Sequence, residues 1–461
     1  MYDPKSNTFP DEIAPLSCEP RKSRFVDKKD SGGISASAYD VLDTLFVLGD
    51  FENIEFMTEK LCARSLHFKG HVSLFETNIR VLGGMLSAHL LMQEFSNITN
   101  SFYNDCYLFQ ANELGHRLLP AFDTPTGMPY GAIDLNKGVR KKETPVTNTA
   151  SIGTLIVEFG VLSHLTGNPI FYEKAKKAVT ELHSRRTRVG LVCSHMNIRT
   201  GEWEYHDTSL GATVDSYYEY LLKGYMLFGD LDLLDMFEQS KKVIDKYLVF
   251  KGFNVRVDCR TGYIQNMAYD SLSNFYPAVL SLYGSNITHV YEQLHAIHLI
   301  QRRLPYFPER FSWSAGTAEN GGTTWPLRPE IVESVWYASQ VINDDYFDAI
   351  AVDVLESLKR TRCPCGFCEV RDARRAVSKK DRQESFLLSE TFKYLLLMFS
   401  DDLTQRFGTH KYLYSTEAHM FPLDGRFNTK HPDFRGTNAI CARINRFYRL
   451  FNRPPVLYPN G

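Results

Sequence analysis

Hydrophobic positions along this chain recur mainly at helical spacing, and the alternation expected of strands is sparse. One pattern repeats: an apolar helix end, a Gly or Asn suited to a left-handed cap, an acidic or Asn N-cap, and a second, amphipathic helix. It starts at Leu48, Leu165, Leu227 and Val341. A helix pair repeated at long, irregular intervals predicts an all-α fold, either a solenoid or a closed α/α barrel.

An acidic residue precedes each of these turns by nine or ten positions. Glu390 keeps the same distance from the turn at Ser400. The other four acids are Asp40, Glu158, Glu219 and Glu333. Buried carboxylates are unfavourable unless they are paired or functional. In a ring of such helices they would gather at one end, so the recurrence favours a shared acidic cavity over acids that only stabilise helix N-termini.

Further polar and aromatic residues share helix faces at the same spacing. The pairs, three or four residues apart, are Glu76 with Arg80, Asp215 with Glu219, Glu330 with Glu333, and Phe386 with Glu390. Carboxylates, an arginine and aromatic rings in one cavity suit a sugar, and glycoside hydrolysis needs one protonated carboxyl and one carboxylate. The sequence has no phosphate-binding GxxxxGK[ST] loop, no GxSxG and no HExxH. The residues alone therefore indicate an acid-lined α/α barrel that acts on carbohydrate.

Composition and charge limit the classes of molecule that this protein could bind. The 461 residues are 43% hydrophobic, enough for a large core, which excludes global disorder. The 52 basic residues balance 54 acidic ones, so no basic excess points to nucleic acid or to an anionic membrane surface. No apolar run approaches the ~18–20 residues of a membrane span. We expect no nucleic-acid partner and no membrane span.

The cysteines and the N-terminal residues do not decide between cellular compartments. Nine cysteines leave at least one thiol unpaired. Cys363, Cys365 and Cys368 form a cluster that lacks a second Cys pair or nearby His set, which disfavours zinc. Asn97 and Asn286 begin glycosylation acceptor triplets, whereas the N-terminus shows no signal-peptide core. Cytosol and endoplasmic reticulum (ER) both remain possible from these features.

Several motifs, in order along the chain, resemble the class I α1,2-mannosidase family, glycoside hydrolase family forty-seven. They include Ala38-Tyr-Asp-Val-Leu-Asp-Thr-Leu45, Phe75-Glu-Thr-Asn-Ile-Arg80, Asp215-Ser-Tyr-Tyr-Glu219, Leu327-Arg-Pro-Glu330 and Thr416-Glu-Ala-His419. The resemblance implies a single (αα)7 barrel over residues 31–420, with a divergent segment 1–30 before it and a tail 421–461 after it. It also implies calcium-dependent, inverting hydrolysis of terminal α1,2-linked mannose.

The resemblance assigns roles residue by residue. Glu76 resembles the acid on the leaving-group side, with Asp215 a second candidate, and Glu330 resembles the base that activates water. Phe386 would stack beneath the sugar, and Thr416 would give its hydroxyl and carbonyl oxygens to Ca²⁺. The expected contacts to sugar hydroxyls, water or the metal shell are Arg80, Glu158, Glu333 and Glu390.

Within this family the chain most resembles the ER degradation-enhancing α-mannosidase-like branch, through segments such as Asp270-Ser-Leu-Ser-Asn-Phe-Tyr-Pro277. That branch implies the ER lumen, high-mannose N-glycans on misfolded glycoproteins, and an ER disulfide oxidoreductase as a candidate partner. It also implies a disulfide between Cys18 and Cys441, although two unpaired thiols are an equal alternative.

Two other functions remain open: a non-hydrolytic mannose-binding lectin, and an ER or Golgi processing mannosidase. Glu76, Asp215 and Glu330 are all present, which favours an enzyme over a lectin. Thr213 and Ser271 stand where the processing enzymes have Arg and His, which disfavours the processing role.

Overall fold

The helices form two concentric rings. The computed structural model describes residues 9–26, 33–63 and 70–428, and within these, seven inner helices alternate with seven outer helices along the chain. The inner helices, in order, comprise Ala36–Asp40 with Leu42–Leu48; Leu74–Glu76 with Thr77–Leu82 and Gly83–Glu94; Thr149–Gly153 with Ile156–Thr166; Asp215–Phe228; Ser271–Phe275 with Tyr276–Tyr283; Glu330–Ser339; and Leu387–Thr391 with Phe392–Met398. The outer helices are Phe51–Cys62, Cys106–Leu118, Ile170–Ser184, Leu231–Tyr247, Ile287–Arg303, Asp345–Arg360 and Asp401–Phe407. Short helices lie at Ser96–Thr99 and Leu119–Phe122.

Burial explains which helix lies in which ring. The inner helix Ile156–Thr166 begins with seven consecutive buried residues, so it is covered on every side. The outer helix Leu231–Tyr247 is amphipathic, with one buried face. That face consists of Leu233, Met236, Phe237, Ser240 and Ile244. An inner helix therefore packs between the cavity and the outer ring, whereas an outer helix shows its polar face to solvent.

The predicted turns between inner and outer helices are present. Gly49, Gly167 and Gly229 end inner helices with left-handed φ values of 71°, 68° and 67°. Only glycine adopts this conformation without strain from a Cβ atom. The turn at Val341 instead lacks a left-handed glycine, and Asp344 caps the following outer helix through its side chain. The helix-pair repeat read from the sequence is confirmed.

Contacts between successive inner helices close the ring. Each inner helix contacts the next one along the chain, and the first contacts the seventh. A solenoid would leave its first and last units apart. The all-α (αα)7 barrel is therefore confirmed and the solenoid alternative is excluded.

Short antiparallel strands occupy the connections and the chain start. They form two- and three-stranded sheets of two to four residues per strand, too short for alternation to show in the sequence. The paired strands are Glu12–Ala14 with Glu19–Arg21; His71–Ser73 with Ala132–Asp134; Val146–Asn148, His195–Asn197 and Glu202–Tyr205; Asp207–Thr208, Arg256–Asp258 and Ile264–Asn266; Val249–Phe250 with Phe253–Asn254; Ala268–Asp270, Arg310–Ser312 and Thr317–Ala318; Arg362–Cys363 with Gly366–Phe367; Glu369–Val370 with Lys379–Lys380; and Tyr412–Tyr414 with Met420–Pro422.

The last of these pairs, Tyr412–Tyr414 with Met420–Pro422, is called the plug hairpin. Its strands contact the second and fourth inner helices, and all six strand residues are buried. The hydroxyl oxygen of Ser415 accepts the backbone N–H groups of Glu417 and His419, which shapes the tip. The plug hairpin thus carries residues 415–419 into the barrel interior.

Residues 9–26 form an N-terminal strap that joins the two ends of the ring. Buried Asp11 accepts the backbone N–H groups of Ile34 and Ala36, at the start of the first inner helix. The backbone N–H of Gln383, just before the seventh inner helix, donates to Ile13. The domain boundary expected at residue 31 stays a prediction, and the tail beyond residue 428 lies outside the described residues.

The disulfides correct one prediction from the sequence. Cys18 pairs with Cys365, not with Cys441, because the strap places Cys18 beside the turn that carries Cys365. Cys441 itself lies outside the described residues. Cys363 pairs with Cys368, so all three cysteines of this cluster are in disulfides. The other pairs are Cys62 with Cys106 and Cys193 with Cys259.

Replacing Cys18 with Ser is expected to lower the free energy of unfolding by about 2–4 kcal/mol, because the strap's cross-link to a distant segment is lost. Cys441→Ser is the matched control and is expected to leave the free energy of unfolding unchanged. Denaturant unfolding of both variants measures this. A non-reduced peptide map that joins Cys18 to Cys441 would contradict the pairing.

One described stretch, Thr149–Thr166, is long and apolar enough for a membrane span by length and composition, although no such run was expected from the sequence. In the barrel 83% of it is buried, since it forms the third inner helix. Its apolar character is that of a core helix.

Candidate active site

Several of the acids predicted from the sequence lie in the first turns of inner helices. Glu330 is the first residue of the sixth inner helix and Asp215 is the first residue of the fourth. Glu76 lies in the first turn of the second, where its backbone N–H donates to the N-cap Ser73 Oγ at 3.3 Å. Because an outer helix returns the chain after each inner helix, all inner helices run the same way. Their first turns therefore meet at one end of the barrel.

Two residues in a strained conformation precede these first turns, and a third lies at the tip of the plug hairpin. Thr213, Leu327 and Ala418 adopt left-handed φ values of 81°, 68° and 58°. This conformation is unfavourable for residues with a Cβ atom, above all for a β-branched threonine. Thr213 lies two residues before Asp215, and Leu327 three residues before Glu330. Such strain persists where the surrounding structure enforces it, and it concentrates at functional sites.

Two π-helical segments also coincide with the predicted site. Thr77–Leu82 carries Arg80, and Leu387–Thr391 carries Glu390. A π-helical turn widens the helix and re-aims its side chains, and it occurs frequently at functional sites.

Arg80 is the centre of a buried charged cluster. Its Nε donates to Glu76 Oε2 at 2.9 Å, and its Nη1 donates to Ser385 Oγ at 3.1 Å. The same Nη1 bonds Glu417 and lies 3.5 Å from Asp40 Oδ2. One guanidinium thus faces three carboxylates.

A second cluster surrounds Lys223, which is 1% exposed. Lys223 forms an ion pair with Glu219 and its Nζ lies 3.9 Å from Glu333 Oε1. Burial raises the pKa of Glu333 well above its ordinary value, and although Lys223 opposes this, Glu219 and Glu330 reinforce it. Burial likewise raises the pKa of Glu390, with Glu330 and Glu333 adding to the effect. The carboxylates outnumber the cations here, so protons must compensate part of the charge.

Glu330 and Asp215 lie close enough to influence each other. Burial raises the pKa of Glu330 to about 8, against the nearby Arg328 and with help from Glu309 and Asp215. Arg328 Nη1 lies 3.9 Å from Glu330 Oε1, and buried Glu330 Oε2 has no hydrogen-bond partner among the described residues. Burial raises the pKa of Asp215 to about 7, although the backbone N–H of Ser216 donates to its Oδ1 at 2.8 Å. Two carboxyls that titrate near neutral pH can exchange protons with a substrate.

Glu158 and Thr416 are linked through one hydroxyl group. Tyr220 donates to Glu158 Oε1 at 2.5 Å, and Asn78 Nδ2 donates to Oε2 at 2.8 Å. Burial raises the pKa of Glu158 to about 7 in spite of these bonds. The Tyr220 oxygen in turn accepts the backbone N–H of Thr416 at 3.3 Å. This fixes the tip of the plug hairpin against the wall that carries Glu158.

The donors at the hairpin tip fit a hard cation. No described residue bonds the hydroxyl or carbonyl oxygen of Thr416, which is partly exposed. Calcium takes neutral and charged oxygen ligands and completes its shell with water. No described group of three or more His, Cys, Asp or Glu residues could hold a metal by itself. Thr416 with surrounding water and buried acids therefore fits Ca²⁺ better than zinc.

Beneath the acids, His419 joins a buried ionic network. His419 Nδ1 lies 3.0 Å from Asp43 Oδ2, and Nε2 lies 3.2 Å from Asp40 Oδ1. Lys393 Nζ lies 2.7 Å from Asp43 Oδ1 and donates to the Ala418 carbonyl oxygen at 2.7 Å. Burial alone would lower the pKa of His419, but these two aspartates raise it to about 9. Burial would raise the pKa of Asp43, but Lys393 and His419 lower it to about 2. The network anchors the plug hairpin to the first and seventh inner helices.

The free energy of unfolding is expected to fall as the pH rises from 6.5 to 9. A His419 pKa raised from 6.5 to about 9 adds stability that is complete below pH 6.5 and is lost as the pH passes through 9. At about 1.4 kcal/mol per pKa unit, the loss is about 3 kcal/mol. Denaturant unfolding with chelator across this range measures it. The slope is expected to flatten in His419→Gln, and an unchanged slope in that variant would contradict the assignment.

A small open cavity lies beside the loop that precedes Asp215, with a volume of about 60 Å³. Its walls include Gly211, Arg256, Asn266, Asp270 and Arg310. A Cβ atom on Gly211 would lie 2.5 Å from Asp270 Cγ, so only glycine lets the loop before Asp215 approach this carboxylate. The polar walls suit hydroxyl groups of a bound sugar.

All nine residues predicted for the site are linked to one another by direct contact, by electrostatic influence or through a shared neighbour such as Tyr220. Phe386, which is 2% exposed, completes the set, because its ring centroid lies 5.7 Å from Arg80 Cζ and 5.4 Å from Arg328 Cζ. Their individual roles stay predictions.

Several members of the site were not predicted from the sequence. They are Arg328, Glu417, His419, Lys223, Lys393, Asp43, Tyr220 and Asp270. Spacing could have indicated Lys223, four residues after Glu219, and Arg328, two residues before Glu330. Lys393 and Asp43 are 350 residues apart, and no local pattern connects them.

Comparison with known proteins agrees with the fold and the site. A family model described as Glycosyl hydrolase family 47 matches residues 5–423. The chain belongs to glycosyl hydrolase family 47. Alpha-mannosidase I MNS4 from Arabidopsis thaliana is 39% identical over 428 residues, which cover 91% of this chain and 67% of the relative. ER degradation-enhancing alpha-mannosidase-like protein 2 from Homo sapiens is 36% identical over 441 residues, which cover 91% and 74%.

A solved structure supports the family 47 assignment. The alpha-1,2-mannosidase from Trichoderma reesei superposes with a TM-score of 0.78 at 26% sequence identity, covering 90% of this chain and 94% of that one. The resemblance to family 47 and to its ER degradation-enhancing branch, expected from the motifs, is confirmed. Membership of an α-mannosidase family supports a glycosidase.

Proposed function

We propose that this chain removes terminal α1,2-linked mannose from high-mannose N-glycans with inversion, acting on misfolded glycoproteins in the ER lumen. The observation that carries the proposal is Glu330. It begins an inner helix, burial raises its pKa to about 8, and one of its oxygens is buried with no hydrogen-bond partner among the described residues. A carboxyl kept in this state by burial suits acid–base chemistry rather than structural support.

Asp215 is the better supported of the two candidates for the acid. Its pKa of about 7 leaves it largely protonated below neutral pH, as a donor to the leaving oxygen must be. Glu76 is ion-paired with Arg80 at 2.9 Å, which suits a role in binding and orientation. The sequence motifs favoured Glu76, and the electrostatics shift the proposal toward Asp215.

Glu330 is proposed as the base that takes a proton from the attacking water, and the Arg328 guanidinium, 3.9 Å away, opposes the effect of burial and favours the ionised form that this role needs. In an inverting enzyme this carboxylate acts on the sugar face opposite the acid. Thr416 would hold Ca²⁺ through its hydroxyl and carbonyl oxygens. When bound, the ion orients water and sugar hydroxyls and favours the ionised forms of nearby carboxyls.

The remaining residues bind the sugar. Arg80, Glu158, Glu333 and Glu390 are proposed to hydrogen-bond hydroxyl groups, and Phe386 to supply the apolar surface beneath the ring. The polar cavity lined by Gly211, Arg256 and Asp270 is proposed to take hydroxyls of the retained part of the glycan.

Several features support an ER setting. The described residues hold four disulfides, which form and persist in oxidising compartments. Asn97 and Asn286 are both exposed, as glycosylation would require. A similar human protein carries ER degradation in its name. A disulfide oxidoreductase partner stays a prediction.

The test is mannose release from a labelled high-mannose glycan on a glycoprotein, supplied folded and denatured, with calcium and then with chelator. An oxidoreductase is added first, so that the disulfides are closed. We expect calcium-dependent release, faster from the denatured glycoprotein. Binding without release would favour the lectin, and equal release from both forms would favour a processing enzyme.

A further inference from the structure

Phe25, in the N-terminal strap, lies outside the barrel boundary drawn from the sequence and yet contacts the site. The backbone N–H of Ser73 donates to the Phe25 carbonyl oxygen at 3.0 Å. Val26 pairs with Val72 across an antiparallel bridge. Because Ser73 caps the second inner helix, the strap holds Phe25 at the start of the helix that carries Glu76 and Arg80.

The Arg80 guanidinium contacts two aromatic rings. Its Cζ lies 5.7 Å from the Phe25 ring centroid and 5.7 Å from the Phe386 centroid. Its N–H groups meanwhile bond Glu76, Ser385 and Glu417. Cation–π contact is strongest where the cation is desolvated, and Arg80 is only 6% exposed. Hydrogen bonds and rings together therefore fix the position of this cation.

We propose that Phe25 is a positioning residue of the active site, whose ring holds the Arg80 guanidinium and, through it, the Glu76 carboxylate. This inference rests on the proposed function. Phe386 has been given a direct role at the sugar, but nothing in the sequence motifs assigns a role to Phe25. The proposal makes the strap a part of the catalytic cavity.

The strap has the anchoring that such a role requires. The Asp11 carboxylate accepts hydrogen bonds from the backbone N–H groups of Ser23 and Ile34, and these bonds fix the chain before and after Phe25. Arg382 lies 3.3 Å from Glu12 in the strap and 2.6 Å from Glu384 beside the seventh inner helix. Together with the Cys18–Cys365 disulfide, these contacts fix the strap to both the first and the seventh inner helices, where the ring closes. The Phe25 ring is therefore held in place before substrate binds.

The experiment compares Phe25→Ala, Phe25→Leu and Phe25→Tyr, with Phe109→Ala as the control. Phe109 lies on an outer helix and is 70% exposed. Leu fills similar volume without a π face, whereas Tyr keeps the ring. We expect kcat to fall about tenfold in the Ala and Leu variants with little change in KM, and Tyr and Phe109→Ala to stay within about twofold of wild type. Leu activity equal to Tyr activity, or an unchanged Ala variant, would overturn the proposal.

A second readout separates this proposal from the proposed function. The ¹⁵Nε–¹H resonance of Arg80, assigned by its loss in Arg80→Lys, reports solvent exchange of the guanidinium. We expect faster exchange in Phe25→Ala and Phe25→Leu than in wild type and Phe25→Tyr. Absence of mannose release by wild type would defeat the proposed function while this comparison still decides the positioning role. Equal exchange in all four proteins would overturn the positioning role.

Discussion

Replacing Glu330 with Gln is expected to reduce the rate of mannose release by about a hundred- to ten-thousandfold, the usual contribution of a general base. The amide cannot accept a proton from water, although it has almost the same shape. Glu330 lies in the first turn of an inner helix, beside Arg328 and within electrostatic reach of Asp215. The loss is expected mainly in kcat, because the interaction belongs to the chemical step.

The melting temperature of the same variant is not expected to fall with its activity. Burial raises the pKa of Glu330 to about 8, and no residue in the described part of the chain bonds its Oε2, so ionising this group in the folded state is unfavourable. A neutral amide removes that cost, and we expect the melting temperature at pH 8 or above to stay equal or rise. Glu356→Gln, at a 53% exposed surface site, is the control and is expected to change neither property. A Glu330→Gln variant that keeps its rate within about threefold would contradict the role of this residue.

Replacing Lys393 with Met is expected to lower the free energy of unfolding by about 3–5 kcal/mol, because it leaves a buried carboxylate without its partner. Lys393 and Asp43 are both 0% exposed and lie 2.7 Å apart. Lys393 also holds the Ala418 carbonyl oxygen at the tip of the plug hairpin. The change therefore removes both a charge partner and an anchor of the loop that carries Thr416.

The double variant Asp43→Asn with Lys393→Met is expected to recover part of this loss, since neither charge is then buried alone. Lys359→Met, which breaks an exposed pair with Glu356, is the surface control and is expected to change stability by less than about 0.5 kcal/mol. Urea denaturation gives all three values. An equal loss for Lys393→Met and Lys359→Met would show that the buried network contributes no more than a surface pair.

The helix pairs and the ring of acids are predictable from the sequence because both are local. The turns at Gly49, Gly167 and Gly229 define where each inner helix ends, and counting back from them locates acids such as Glu158 and Glu219. The same spacing along the sequence therefore predicts both the ring of helix pairs and the end of the barrel at which the carboxylates gather.

The remainder of the site depends on contacts between distant segments. Lys393 and Asp43 form their ion pair only because the seventh inner helix packs against the first. Cys18 pairs with Cys365 because the strap crosses the seam, a path that no spacing in the sequence reveals. The contact between Phe25 and Arg80 likewise depends on the path of the strap, which comes before the barrel in the sequence and binds Ser73 at the start of the second inner helix.

The most direct test of the account is proton NMR of the first mannose released from an α1,2-linked mannobiose. The enzyme carries closed disulfides and calcium, and spectra are taken before mutarotation equilibrates the anomers. Inversion from the α-linkage, with Asp215 as acid and Glu330 as base, predicts that β-mannose appears first and that Glu330→Gln releases almost none. Initial release of α-mannose would contradict the inverting mechanism, and absence of release from this oxidised, calcium-loaded protein would contradict its assignment as an α1,2-mannosidase.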